Sequence, residues 1–271
     1  MDCHYINLDS ATARRELIER NFNTYKAPGW TLTRFPAVDV ASVEARQVPG
    51  RLRPAEKACF LSHQQLLGAN LSATAPIMIL EDDAEIGRRT CALIDNFLAS
   101  QGDFDWDIVF ANVCIPRLEH MLRLAKYRNQ IAVNQRVILL DLIKYIFAGA
   151  DAYIVNHKSI VRLHRMILLE QKLDTPYDLL LQKFIHERRI KGFSYFPFIT
   201  GLSDLSQISQ LRERRIDEAI WGLFRSMMRI DRDLERLGPQ RESVMRDLQP
   251  EHAKMLQVLF DEIDSSTAEY D

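Results

Sequence analysis

A chain of 271 residues, 47% of them apolar and 27% charged, is long enough to bury a core as one large domain or as one domain with an appendage. Its formal net charge of -2 gives no global electrostatic support for a nucleic-acid partner, so none is expected. The four cysteines, Cys3, Cys59, Cys91 and Cys114, form no C-x-x-C pair, which argues against a structural zinc site and for scattered thiols in a reducing compartment. The opening MDCHYINLD enters a strand without a basic region, a long apolar segment or a cleavage site, and no stretch has the apolar length of a spanning helix. The expected location is cytoplasmic.

The first strand is predicted at residues 5–8, followed by a helix over 11–25 with Asp9 or Ser10 as its cap. Arg14 and Arg15 stand in the first turns of that helix, where the dipole disfavours cations. An anion at the strand-to-helix junction would remove the conflict, and a solvated arginine pair is the plainer reading. Pro28 and Gly29 break the helix, and residues 30–38 alternate as a second strand with Trp30, Leu32 and Phe35 inward. Strand, helix, strand is the opening unit of an α/β domain. After the basic loop VPGRLR, Pro54 suits a first helical position and Glu56 a first turn, for a helix reaching about residue 71. Inside it His63 is either a ligand-binding, acid-facing residue or a satisfied structural histidine.

The chain is organised around PIMILEDDAEI. Residues 77–80 read as a short buried strand that ends abruptly in Glu81, Asp82 and Asp83. Such a cluster belongs at a strand's mouth, where water, a cation or a ligand offsets the charge. Ligands of open α/β sheets bind at the carboxyl ends of strands, and adjacent carboxylates there hold a hard divalent cation that neutralises phosphate. An acidic turn leading into a helix is the alternative.

A helix is predicted over 87–99. Asp103, Asp105 and Asp107 then lead into a strand at 108–111 and lack the glycine and glutamate of a calcium loop. Residues 112–134 are a helical or irregular excursion, 137–147 a helix or a strand with its turn, and 152–155 a strand. Helices follow at 158–172 and 176–188, with Asp174 and Asp178 bracketing the turn between them, and 192–199 returns to extended structure. In the tail, Ile216, Ile220, Leu223, Met227, Ile230, Leu234 and Leu237 keep a 4-3-4-3 spacing that places them on one helical seam. Gly238 and Pro239 are expected to stop that helix before a second one through Val244, Leu248, Met255, Leu259 and Ile263. The division is 1–210 for the sheet domain and 211–271 for a helical appendage. The appendage packs in cis, pairs two chains as a homodimer, or docks peripherally at the inner face of a membrane.

Four segments in this order resemble glycosyltransferase family 25, which includes bacterial lipopolysaccharide and lipooligosaccharide galactosyltransferases. They are YINLDSATARR, LRPAEKACFLSH, PIMILEDDAEI, and GADAYIV with TPYD downstream, over roughly the first two thirds of the chain. Lys57 and Ala58 depart from the family's usual pair before the cysteine. The resemblance implies a glycosyltransferase-A-like α/β fold and transfer from a UDP-sugar donor, UDP-galactose foremost. The acceptor it implies is lipopolysaccharide or another surface glycan or glycolipid, with inversion to a β-linkage. It also implies that Asp83, with Glu81 and Asp82, holds Mn²⁺ or Mg²⁺ against the donor diphosphate. Asn7, Leu8, Thr12, Arg14 and Arg15 match the opening donor-side segment, Ser62 and His63 the second, and Asp178 a downstream acidic position. Transfer requires a carboxylate within about 2.6–3.2 Å of the acceptor hydroxyl to take its proton. Asp178 is the candidate, with Asp151 and Asp174 behind it. A nucleotide-sugar hydrolase and a catalytically silent glycan-binding or assembly protein are the competing readings.

Overall fold

A computed structural model describes residues 1–132, 136–203, 205, 216–231, 234–247, 254, 256–258, 260 and 261. The apolar runs pair into strands β1 (Asp2–Asn7), β2 (Thr31–Pro36), β3 (Ile77–Glu81), β4 (Ala84–Ile86), β5 (Ile108–Phe110), β6 (Ile138–Asp141), β7 (Ala152–Val155), β8 (Gly192–Phe196) and β9 (Thr200–Leu202). Seven of them form one mixed sheet in the order β2-β1-β3-β7-β5-β8-β6, and β4 pairs with β9 as a separate ribbon. The helices are α1 (Thr12–Tyr25), α2 (Val40–Ala45), α3 (Pro54–Ala69), α4 (Thr90–Ser100), α5 (Leu118–Ala132), α6 (His157–Leu168), α7 (Tyr177–His186), α8 (Ile216–Met227) and α9 (Leu234–Asp247). This is the α/β class expected, with helices on both faces of the sheet.

β3 shows why the fold forms here. Ile77, Met78, Ile79 and Leu80 are all buried, each burial worth about 1.5–3 kcal/mol. Met78 and Leu80 pack with Ile18 and Phe22 of α1 and Ile94 of α4, while Ile77 and Ile79 join the core that holds Phe60, Leu66 and Leu67 of α3. A strand covered on both faces reads as a continuous apolar run rather than an alternation.

Strand direction then collects the polar ends. β1, β2 and β3 are parallel, as the opening strand-helix-strand unit predicts. β7 is antiparallel to both β3 and β5, so its first residues lie at the edge where β1, β3 and β5 finish. The backbone N–H of Glu81 donates to the carbonyl of Asp151 at 2.7 Å across that edge. Asn7, the acidic triplet, Asn112 and Asp151 therefore share one rim.

The ambiguous stretches resolve simply. Residues 137–147 are a strand, β6, followed by a 3-10 turn at Leu142–Lys144. Residues 112–134 hold the helix α5, with Val133 and Asn134 outside the described residues. Neither α2 nor β4 was anticipated. The tail departs most from expectation, because Gly238 and Pro239 lie inside α9 and stop nothing. The break comes earlier, where Phe198 N–H donates to Met228 O at 2.9 Å and Ile230 N–H to Phe198 O at 2.8 Å. That pairing supplies the hydrogen bonds another helical turn would have made. Leu223, Phe224, Met227 and Met228 are buried in the same core as the sheet, with Ile220 and Leu237 half-buried against it. The side chains of Ile216 and Leu234, and residues Leu248, Met255, Leu259 and Ile263, lie outside the described residues. Among the described residues, no helix is long and apolar enough to cross a membrane.

Candidate active site

Asp82 is 9% exposed and fully engaged. Asn7 Nδ2 donates to its Oδ2 at 2.8 Å and Arg14 Nη1 to its Oδ1 at 2.8 Å. Asn7 Oδ1 accepts in turn from Arg15 Nε at 3.2 Å and Arg34 Nε at 3.0 Å, and Arg14 Nη2 donates to Leu205 O at 2.9 Å. The place of Arg14 at the start of α1 is thereby explained: the anion that offsets it is the protein's own Asp82.

Asp83, the next residue, is 8% exposed, and its Oδ1 has no hydrogen bond among the described residues. Arg14 Nη1 stands 3.7 Å from its Oδ2. Burial first, and then the Glu81 and Asp151 carboxylates, push the Asp83 carboxyl up to about 7 against the pull of Arg14. A buried carboxylate oxygen without a donor costs about 1–3 kcal/mol or more. It marks the place where a cation or a ligand's donor is wanted.

Asp83 faces a cleft of about 350 Å³. α3 lines it with Glu56, Cys59 and His63, the sheet edge with Glu81, Gly149 and Asp151, α7 with Asp178, and α8 with Trp221 and Arg225. Asp151 is held by Asn112 Nδ2 at 2.7 Å and by the buried Arg225, whose Nη1 lies 3.2 Å from Oδ1. Asn112 Nδ2 also reaches Thr200 Oγ1 at 2.8 Å. Asp178 Oδ2 accepts from the backbone N–H of Gly149 at 2.7 Å. Gly149 has a φ of +90°, a conformation that favours glycine, and a Cβ there would stand 3.5 Å from Asp151 Oδ1. The GADAYIV stretch thus carries Asp151 and holds Asp178 through the Gly149 N–H.

A second group sits on the α3 wall. Cys59 and His63 lie one helical turn apart on one face. The Cys59 sulfur, a His63 ring nitrogen and a Glu81 oxygen all fall within 4.8 Å of one another, a spacing that can hold a metal ion. His63 stacks on Tyr177 with ring centroids 4.3 Å apart, its Nδ1 lies 2.9 Å from Tyr153 Oη, and its Nε2 lies 3.4 Å from Glu81 Oε1. Burial lowers His63 to about 3, so the ring is neutral at pH 7 and the contact with Glu81 is not an ion pair. Burial, with Glu81 and Asp178 nearby, pushes the Cys59 thiol up.

The residues singled out from sequence divide as follows. Glu81, Asp83, His63, Asp151 and Asp178 line the cleft, while Asn7, Arg14, Arg15 and Asp82 form the network beside it. Leu8 and Thr12 do not line it: the Leu8 carbonyl accepts from Ala11 N–H at 3.0 Å, and Thr12 is exposed at the start of α1. Ser62 is buried away from the cleft, accepting from Val38 N–H at 2.9 Å and donating to Ala58 O at 2.7 Å. Asp174 is exposed and also outside the cleft, its Oδ1 accepting from Arg51 N–H at 2.7 Å in a loop clamp. Sequence reasoning missed Asn112, Arg225 and the metal-ligating geometry of Cys59. The four-residue spacing of Cys59 and His63 on a helix was a usable signal. Arg225 carries none, since it lies 74 residues downstream of Asp151 and only the fold brings them together.

Comparison with known proteins shows the family of the chain. The profile of glycosyltransferase family 25 (LPS biosynthesis protein) matches residues 1–181. The chain is 28% identical over 167 residues to the lipooligosaccharide biosynthesis protein lic2B of Haemophilus influenzae, covering 59% of this chain and 61% of that protein. It is 26% identical over 273 aligned residues to the lacto-N-neotetraose biosynthesis glycosyltransferase LgtE of Neisseria gonorrhoeae, covering 96% of this chain and 87% of that protein. Among solved structures it is similar to the galactosyltransferase LgtC in complex with donor and acceptor sugar analogues. That match has 14% identity and a TM-score of 0.35, covering 68% of this chain and 70% of that one. Mouse xyloside xylosyltransferase 1 matches at 12% identity and a TM-score of 0.33, covering 70% of this chain and 63% of that one.

Proposed function

Because the chain belongs to glycosyltransferase family 25, we propose that it transfers galactose from UDP-galactose to a hydroxyl of a lipopolysaccharide or another surface glycan, inverting the anomeric centre to a β-linkage. Sugar transfer follows from the family; the donor, the acceptor and inversion are the proposed part. The names of the Haemophilus and Neisseria relatives support a surface-glycan acceptor. The observation that carries the reading is Asp83, which has a buried carboxylate oxygen lacking a hydrogen bond among the described residues and lines a cleft with Asp151, Asp178 and Arg225.

Asp83 and Glu81 offer the oxygen ligands that Mn²⁺ or Mg²⁺ takes, and such a cation, when bound, neutralises charge on the departing diphosphate. Asp82, with both oxygens engaged, orients the acidic turn and Arg14. Arg225 presents a guanidinium whose geometry matches phosphate oxygens, and Asn112 and Asp151 fix its position. Asp178, held by the Gly149 N–H, takes the acceptor proton as the hydroxyl oxygen bonds to the anomeric carbon and the bond from that carbon to the diphosphate oxygen breaks. Cytoplasmic placement completes the proposal, with docking at the inner membrane face or pairing through the tail, because a lipid-linked acceptor presents its sugars at a membrane surface.

A panel of nucleotide sugars offered with glycan acceptors, read by intact-product mass, tests this. One hexose added from UDP-galactose, only in the presence of acceptor, is the expected result. Donor cleavage indifferent to acceptor replaces the reading with a hydrolase, and acceptor binding without product across the panel replaces it with a glycan-binding protein.

A further inference from the structure

We propose that Cys59, His63 and Glu81 form a binding site for a thiophilic divalent cation of the zinc class, which adjoins the hard-cation site of the donor and shares the Glu81 carboxylate with it. Their ligand atoms lie within 4.8 Å of one another and come from two rigid elements, one turn of α3 and the last residue of β3. Sulfur, imidazole and one carboxylate make a borderline-soft set that suits zinc, whereas Mn²⁺ and Mg²⁺ take oxygen ligands. Three protein ligands with the fourth position left to solvent or substrate is a zinc arrangement, and all three of these side chains line the cleft.

The histidine is already oriented for the role. A ligating imidazole donates its second ring N–H to an oxygen, which fixes the ring and directs the other nitrogen at the metal. His63 Nδ1 lies 2.9 Å from Tyr153 Oη, Tyr153 Oη lies 3.0 Å from Tyr177 Oη, and Tyr177 stacks on the imidazole face. Nε2 is left pointing at Glu81. On binding, the thiol proton of Cys59 passes to solvent and the sulfur donates a lone pair to the cation, with no change of oxidation state. The site rests on these side chains and not on the transfer reaction.

Cobalt(II) titration of the full-length, chelator-stripped protein is the test, with Co²⁺ as the visible stand-in for Zn²⁺. A sulfur-to-cobalt charge-transfer band saturating at one equivalent is expected. Zn²⁺ abolishes it and an equal concentration of Mn²⁺ does not. The band disappears in Cys59→Ser and persists in Cys114→Ser, and Tyr153→Phe weakens cobalt binding by about 10–100-fold. Cobalt bound without a sulfur band, a band that survives Cys59→Ser, or displacement by Mn²⁺ as effective as by Zn²⁺ overturns the site. If Cys59→Ser does not fold, the wild-type chain answers through alkylation. Zn²⁺ is expected to protect the peptide carrying Cys59, and an unchanged alkylation rate overturns the proposal.

Discussion

Asp82 and Asp83 are neighbours in the chain and occupy opposite surroundings. Beside β1 and α1, Asp82 has both oxygens bonded and helps tie two elements together. At the cleft wall, Asp83 keeps an oxygen without a hydrogen bond among the described residues and a carboxyl pushed up to about 7. The contrast teaches that burial alone does not identify a functional acid. Saturated charges build the scaffold, and a buried acid that lines a cleft with an oxygen unbonded among the described residues is the candidate for ligand chemistry.

The comparison can be broken or sharpened by substitution. The largest effect is expected from Asp178→Ala, which should slow single-turnover transfer by about 10²–10⁴-fold while donor affinity by calorimetry stays unchanged. An unaltered rate removes Asp178 from the chemistry. Asp83→Asn comes next, with donor turnover reduced on the order of 10²–10³-fold and the stability of the metal-free chain held or raised. Asp82→Ala should reverse that pattern. It leaves Arg14 without its closest carboxylate, and because the guanidinium is partly exposed the cost belongs at the low end for such pairs, about 3 kcal/mol by denaturant unfolding. If Asp82→Ala costs turnover without stability, the two acids have been assigned the wrong way round.

The pH dependence of metal-free stability gives a subtler check. Asp83 titrates near 3.8 unfolded and about 7 folded, so its stabilising contribution is present below pH 3.8 and is lost as pH rises through 7. His63 titrates near 6.5 unfolded and about 3 folded, so it favours the fold above pH 6.5 and loses that contribution as pH falls toward 3. Between pH 3.8 and 6.5 the two oppose each other. Asp83→Asn removes one side, and its melting temperature should rise with pH across this window more steeply than that of the wild type. A flatter rise dissociates Asp83 from the effect. The smallest change is expected from Asp174→Ala, where an exposed loop clamp is worth about 1 kcal/mol or less and turnover is unaffected.

Much of the fold was readable because the deciding forces are local. Four apolar residues between Pro76 and Glu81 announce a strand buried on both faces, and Pro54 with Glu56 announces the start of α3. β4 was not readable, since three residues make a strand only by pairing with β9. Gly238 and Pro239 misled because breaker propensity is a local preference, whereas the tail bends where Phe198 captures Met228 and Ile230. In the site, the acids were visible and their division of labour was not. That division depends on which carboxylate Arg14 reaches, a matter of packing between β1, α1 and β3.

The ribbon of β4 and β9 has a genetic consequence. Ala84–Ile86 leaves the acidic turn and pairs at once with Thr200–Leu202, Ser203 N–H holds the Asp83 carbonyl at 2.8 Å, and the Arg229 guanidinium lies against Gly201 where a Cβ would come within 2.5 Å of it. β9 and Ser203 thus brace the residue on which catalysis is proposed to depend, while the tail adds Arg229 behind that ribbon and Arg225 on Asp151 across the cleft. A premature stop codon before α8 is expected to behave as a complete loss-of-function allele, not as an enzyme that has merely shed an accessory.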